Sequence, residues 1–302
     1  MKEITTVQSS EEQLHQPFLE AKLNKELVRK HFDRHAREYD QYAEVQRDMG
    51  QKLLEAVDLQ HGRRRFRKVL EIGCGTGHLT RIMSTQFPRP DAYTAIDLSP
   101  EMIEVAKSKL GERAREMTFI AGDAEALSAE IAAAHPGAYD LIISNATFQW
   151  FNNPIQTIRT YLKCLQPGGI LAFATFGPDT FFELHDSFAF AESTLGLKPQ
   201  YHGQPYPGSE LWRQVDSDET VTIQQWDEEY LQVTYPNVRD FLYQIKRIGA
   251  GNAMDSREEP GIRTGKELFR RMEKRYAERH AASNGGIQAT YHILTAIIAK
   301  TD

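Results

Sequence analysis

Nine residues constrain this chain more than any others: Val69-Leu70-Glu71-Ile72-Gly73-Cys74-Gly75-Thr76-Gly77. The apolar residues end a strand, and glycines at alternate positions turn the backbone sharply into a helix. Glycine adopts the positive φ such turns require, and its missing side chain lets a ligand come against the backbone. The first turn of the new helix offers unpaired N–H groups to the same ligand. A dinucleotide-binding turn has the wider spacing G-x-G-x-x-G. Here the spacing is G-x-G-x-G, with Glu71 two residues ahead of the first glycine. A carboxylate in that place repels a pyrophosphate but can order a ligand carrying an ammonium and a sulfonium.

Around this turn, short apolar runs alternate with helical stretches. The spacing predicts strands at Lys68–Cys74, Ala92–Leu98, Met117–Asp123, Tyr139–Asn145 and Gly169–Phe176, with helices at Gly77–Phe87, Pro100–Leu110, Ala124–Ala134 and Pro154–Leu165. Strand, helix, strand at this interval makes right-handed crossovers and a mainly parallel, doubly wound α/β sheet. Ahead of it, Lys22 to about Val57 shows helical spacing of Leu23, Leu27, Phe32, Met49, Leu53 and Val57. After Phe176 the alternation stops. Residues 178–215 read as a helix followed by loops, and Lys266–Arg279 reads as a helix. Glu228–Tyr235 and Ala289–Lys300 read as two late strands, the β-branched residues of the second favouring strand over buried helix. We expect a loose arm at 1–20 and one domain over 21–302. Its parts are N-terminal helices at 22–60, a cofactor core at 66–177, a substrate-side lid with the sixth strand at 178–287, and the last strand at 288–300.

Composition excludes several classes. No run of about 18 apolar residues offers a membrane span, and the first 30 residues lack the apolar centre of a signal peptide. The two cysteines, Cys74 and Cys164, form no CxxC pair and suit a reducing, cytoplasmic compartment. A net charge of −6 argues against wholesale nucleic-acid binding, although two segments are locally basic. Residues 22–67 hold 12 bases and 8 acids, and residues 239–279 hold 11 and 7. Nothing signals an oligomer, and a monomer is expected. His31 and His35 lie four apart on a helix without a third ligand in view, so no metal site is expected.

Two more acids follow the glycine turn. Asp97 ends the second strand, where a carboxylate can accept both hydroxyls of a ribose or cap the helix that opens at Pro100. Asp123 ends the third, where it can accept the exocyclic amine of an adenine or cap the helix from Ala124. The ordered set Glu71–Gly77, Asp97, Gly122-Asp123-Ala124, Tyr139–Trp150 and Leu165–Gly169 resembles the class I S-adenosylmethionine-dependent methyltransferases over about residues 66–177. That resemblance implies a Rossmann-like seven-stranded sheet with an antiparallel last strand. It also implies a site with Gly73, Gly75 and Gly77 against the methionine, Asp97 and Leu98 at the ribose, Asp123 and Ala124 beside the adenine, and Asn145 near the donor.

The methyl acceptor is harder to read. Asn145-Ala146-Thr147-Phe148-Gln149-Trp150 lacks the Asn/Asp-Pro-Pro-Tyr/Phe pattern that cradles amino groups, and no general base or nucleophilic thiol stands nearby. A carboxylate acceptor needs no base, because it is already ionised at neutral pH. It does need recognition, and Lys246 and Arg247 lie in an otherwise apolar stretch. Arg29–Tyr39, Asn145–Trp150, Thr175-Phe176-Gly177 and Lys246–Ala250 together resemble the malonyl-[acyl-carrier-protein] O-methyltransferases of biotin synthesis, from about Leu27 to Lys300. This resemblance implies an acyl carrier protein as partner, and a malonyl carboxylate held by Arg247, with Lys246 beside it, in a pocket walled by Tyr39, Gln149, Trp150 and Phe176. The alternative for Arg247 is an ordinary surface or core-edge ion pair. Arg271, Lys274, Arg275 and Arg279, with Arg29, Lys30 and Arg34, are candidates for docking an acidic carrier or for a solvated helix face. A small free acid, a tRNA wobble carboxylate and a non-catalytic cofactor-binding role stay open as alternatives.

Overall fold

A computed structural model describes residues 22–200, 202–217, 220–249, 262–283 and 285–301. The expected arm at 1–20 and Ala250 fall outside them. Seven strands form one sheet in the order β3-β2-β1-β4-β5-β7-β6. They are β1 (Lys68–Ile72), β2 (Ala92–Asp97), β3 (Thr118–Ala121), β4 (Tyr139–Asn145), β5 (Leu165–Phe176), β6 (Val221–Tyr235) and β7 (Ile287–Lys300). The first five run parallel, while β7 pairs antiparallel with both β5 and β6.

Successive residues of a strand face opposite sides, and the central strands are apolar on both. Val69, Leu141 and Ile143 enter one core, while Leu70 and Ile142 enter the other. The first core is covered by α3 (Glu44–His61), α4 (His78–Gln86), α8 (Phe182–Leu195) and α11 (Ile262–Arg279). The second is covered by α6 (Ala124–Ala134) and α7 (Pro154–Leu162), with the fully buried Trp212 of α9 (Ser209–Arg213). Helix starts are set locally. Asn24 caps α1 (Lys25–His35), Ser99 with Pro100 at N1 caps α5 (Pro100–Leu110), and Asn237 caps α10 (Val238–Arg247).

Most expected elements stand within a few residues of their places. The N-terminal helical stretch, however, is broken: α1 is followed by a single turn, α2 (Tyr39–Tyr42), before α3. β6 begins at Val221, seven residues earlier than the sequence pattern suggests. It is one of the two edge strands, exposed along much of its length, so its mixed polar residues obscure the alternation. Its Asp227, Glu228 and Glu229 put charge on an edge that would otherwise invite further pairing. β5 begins at Leu165 rather than Gly169, through a register shift against β4 between Tyr139 and Leu141.

Candidate active site

The carboxyl ends of β1, β2, β3 and β4 open into a cleft of about 630 Å³, roofed by α1 and α2. The glycine turn forms its floor. Gly73 and Cys74 donate to the Ile96 carbonyl at 2.8 and 3.0 Å, and Gly77 donates to Cys74 O at 2.9 Å. At Gly73 (φ +77°) a Cβ would collide with the Thr147 side chain. At Gly75 (φ +53°) it would meet nothing within 4 Å, because the backbone there borders open space. Cys74 is buried packing.

Asp97 is half-buried at the end of β2. Its Oδ2 accepts the Gly75 N–H at 2.7 Å and its Oδ1 accepts the Ser99 N–H at 2.8 Å. It therefore ties the glycine turn to the start of α5 while its remaining lone pairs face the cleft. Burial outweighs these two bonds and pushes its pKa up to about 6. Glu71 is deeper. Its Oε2 accepts the hydroxyls of Thr80 and Tyr93, each at 2.6 Å, and its Oε1 has no partner. Burial raises it to about 7.

At the far end of the cleft, Asp123 caps α6 by accepting the Glu125 N–H at 3.0 Å. The same oxygen, Oδ1, takes Lys25 Nζ at 3.2 Å, which leaves Oδ2 towards the cleft. Leu98 and Ala124 line the apolar walls between. Asn145 donates to Gln46 O at 2.8 Å and its buried Oδ1 is unpaired. The donor set fits S-adenosylmethionine piece by piece. Unpaired acceptors stand at the ammonium and amine ends, a two-oxygen acid faces the ribose position, and an open backbone cradle lies between. The structure thus brings together Glu71, Gly73, Gly75, Asp97, Leu98, Asp123, Ala124 and Asn145. Gly77 packs its Cα side against Ala106 and shapes the turn from below.

A second pocket adjoins the methionine end, lined by Tyr39, Gln46, Gln149, Trp150, Phe176 and Tyr206 among others. Among the described residues, no carboxylate, imidazole, amine or thiol lines it. Tyr39 and Trp150 border both cavities, and neither the Tyr39 hydroxyl nor the Trp150 indole N–H bonds any described residue. Burial raises the Tyr39 pKa well above the ordinary phenol value, so it stays a donor. Gln149 is held by Thr175, which donates to its Oε1 at 3.0 Å, and by its own bond to Ala146 O at 2.9 Å. Two non-glycine residues with left-handed backbone, Ala146 (φ 51°) and Phe181 (φ 63°), both line this pocket. Such conformations cost about 1–3 kcal/mol each and persist where surrounding structure enforces them.

Arg247 does not reach this pocket. Its guanidinium pairs with Glu38 and lies 4.7 Å over the Tyr243 ring, and its neighbour Ile248 supplies the wall instead. The physical reason is helical direction: α10 ends at Arg247, which projects towards the turn between α1 and α2. Lys246 lines a different cavity. On α11, Arg271 pairs with Glu267, Arg275 with Asp186 and Lys274 with Glu278, so much of that positive charge is neutralised locally. Conversely, Gln46 and Arg47 of α3 carry no local motif and appear only in the folded chain. Arg47 donates to Asp40 O and faces the methionine end beside His78.

Comparison with known proteins agrees with this geometry. A methyltransferase-domain family model matches residues 39–240. The chain is 40% identical over 287 residues to the malonyl-[acyl-carrier protein] O-methyltransferase of Priestia megaterium, covering 93% of this chain and 99% of that one. It is 38% identical to the Bacillus anthracis enzyme of the same name, with 92% and 98% covered. Among solved structures, the YcgJ protein of Bacillus subtilis superposes with a TM-score of 0.56 at 17% identity, covering 83% of this chain and 99% of that one. A Bacillus halodurans protein described as a methyltransferase gives 0.55 at 13% identity, with the same coverage. These last two share the fold. Together with the cofactor cleft and the base-free pocket, the sequence relatives place this chain in the malonyl-[acyl-carrier protein] O-methyltransferase family of S-adenosylmethionine-dependent class I enzymes.

Proposed function

We propose that the chain transfers a methyl group from S-adenosylmethionine to the free carboxylate of a malonyl thioester carried on acyl carrier protein. The observation that carries this reading is the acceptor pocket, which offers neutral donors and, among the described residues, no base at the donor end of the cofactor cleft. When bound, the cofactor supplies a methyl group already activated by its positive sulfur. Asp97 would hold the ribose, Asp123 the adenine amine, and Glu71 and Arg47 the charged ends of the methionine.

The protein's remaining task is to place and partly dehydrate the acceptor. A carboxylate brings its own charge, so no residue has to remove a proton. The Tyr39 hydroxyl, the Gln46 amide and the Trp150 indole N–H are neutral donors that fix its orientation. A direct Arg pair would stabilise the ground-state charge and blunt its nucleophilicity, whereas neutral donors hold it without that cost. Phe176, with the aromatic groups around it, excludes water. Arg247, through Glu38 and Tyr243, fastens α10 to the corner that carries Tyr39. Its part is positioning.

The test offers labelled cofactor to malonyl-carrier protein, malonyl-CoA, free diacids and tRNA. Label in a base-labile ester on the malonyl thioester is the expected result. Transfer to tRNA alone, or cofactor binding with no transfer at all, overturns the proposal.

A further inference from the structure

Behind the acceptor pocket lies a larger cavity that methyl transfer itself does not use. It is an open cleft of about 1070 Å³, part of it open to solvent, between α1, α8 and α10. Phe181 and Tyr206 line both cavities, so the two lie back to back across these side chains. From there Leu184, Phe188, Leu242 and Ile245 carry an apolar wall outward. An acceptor no larger than a diacid leaves that wall against water, which apolar surface disfavours.

His35, His185, His202 and Gln204 interrupt the wall, and of these His35 pairs with Glu38 and His202 with Glu192. Gln204 is 4% exposed, and its Nε2 donates to the backbone carbonyl of Gln149. Its Oε1 is buried without a partner. A buried amide oxygen calls for a donor, and none of the described residues supplies one. At the outer end stand His31 and Arg34 of α1 and Lys246 of α10. Arg34 and Lys246 are exposed and have no acidic partner among the described residues, unlike Arg271, Lys274 and Arg275 of α11. Burial, with the nearby Arg34, His35 and Lys246 adding to it, holds the His31 pKa below its ordinary value.

Apolar wall, amide acceptor and cations unpaired among the described residues thus follow one another from the pocket to the surface. We propose that this channel receives the pantetheine arm of the thioester, with Gln204 Oε1 accepting an arm amide N–H and Arg34 and Lys246 meeting the arm's phosphate and the acidic carrier behind it. This rests on the carrier-bound malonyl reading and adds the route and the docking face to it. The arm's chemistry runs in the same order: thioester, amides and branched carbons, then a phosphodiester. A free acid has none of these.

Steady-state kinetics with malonyl-carrier protein and malonyl-pantetheine separates the parts. Leu242→Trp and Ile245→Trp, made separately, fill the channel away from the cofactor. Each should raise KM for both acceptors by roughly tenfold or more, while calorimetric cofactor affinity, which reports folding, stays at the wild-type value. The surface pair Arg34→Glu with Lys246→Glu should raise KM for malonyl-carrier protein by about tenfold, leave malonyl-pantetheine unchanged, and lose its effect in high salt. Lys274→Glu with Arg279→Glu should change neither. Channel variants with wild-type KM, or a carrier-specific defect arising from α11 instead of the mouth, overturn the proposal. If wild-type enzyme methylates only a free acid, the parent reading falls and takes the channel's occupant with it. Active thioester transfer with unresponsive channel variants removes the channel alone.

Discussion

Asp97→Asn separates the two things this carboxylate does. In the structure it accepts backbone N–H bonds from Gly75 and Ser99 while facing the cleft where a ribose would lie. Replacing it keeps the shape but removes the charge and turns one acceptor into a donor. Hydrogen bonds to a charged group are worth about 1.5–3 kcal/mol, so losing the carboxylate as the ribose acceptor should weaken cofactor binding by about one to two orders of magnitude. Folding stability should move the other way. Burial raises the pKa from 3.8 to about 6, which at neutral pH is worth at most about 3 kcal/mol against the folded state and less with water in the cleft. The sign follows from linkage. The native state binds this proton more tightly than the unfolded chain does, so the penalty is absent below the unfolded pKa of 3.8 and complete above about 6. Asn escapes it but strands one backbone N–H, at a cost of about 1–3 kcal/mol. At pH 8 the variant should therefore melt no lower than wild type, and at pH 4 it should melt below it. Titration calorimetry with cofactor and differential scanning calorimetry read the two effects independently. Wild-type affinity would show that Asp97 does not hold the cofactor, and a lower melting temperature at pH 8 would show that the backbone bonds dominate.

Glu71 should dominate the remaining pH dependence of the cofactor-free protein, since its acid is held up to about 7 by burial. Stability should fall as pH rises from about 4.5 to 7, and Glu71→Gln should flatten that part of the melting profile; an unchanged slope would assign it elsewhere. Tyr39→Phe removes one neutral donor and should lower kcat on the malonyl acceptor by about tenfold or more while cofactor affinity changes little; a kcat within twofold of wild type would refute the orienting role. Arg247→Ala should raise the acceptor KM with cofactor affinity intact, because it releases Glu38 and loosens the corner that carries Tyr39. Turnover and KM both unchanged would reduce Arg247 to a surface pair. Trp212→Ala empties a fully buried site against Phe173 and should cost about 3–5 kcal/mol in urea unfolding; a loss below about 1 kcal/mol would mean the site collapses around the gap.

The cofactor half was legible because its residues are local and their roles are backbone-driven. The glycine turn, Asp97 and Asp123 each follow a strand at a fixed place in the crossover, so spacing alone locates them. The acceptor half was legible only in part: the family resemblance implied Tyr39, Gln149, Trp150 and Phe176, whereas Gln46, Tyr206, Ile248 and Tyr291 share no motif and meet the others only in three dimensions. Arg247 shows the limit from the other side. Its charge and apolar neighbours pointed to the pocket, but the end of α10 turned it towards Glu38. Phe181 shows it again: nothing in the sequence announces a left-handed phenylalanine at the junction of two cavities.

The position of β7 has a consequence for how a nascent chain reaches this state. β7 is last of the strands in sequence, yet it lies between β5 and β6 and is buried along most of its length. Until it emerges from the ribosome, β5 carries an open, strongly apolar edge and β6 has no strand to pair with. The cofactor cleft on β1, β2 and β4 can form during synthesis, but the wall that includes Tyr291 cannot. Loop-closure entropy for so distant a pairing must be met in one late step. Newly made chains should therefore pass through a stage that already grips the methyl donor while presenting a sticky sheet edge, and chaperone capture should concentrate there.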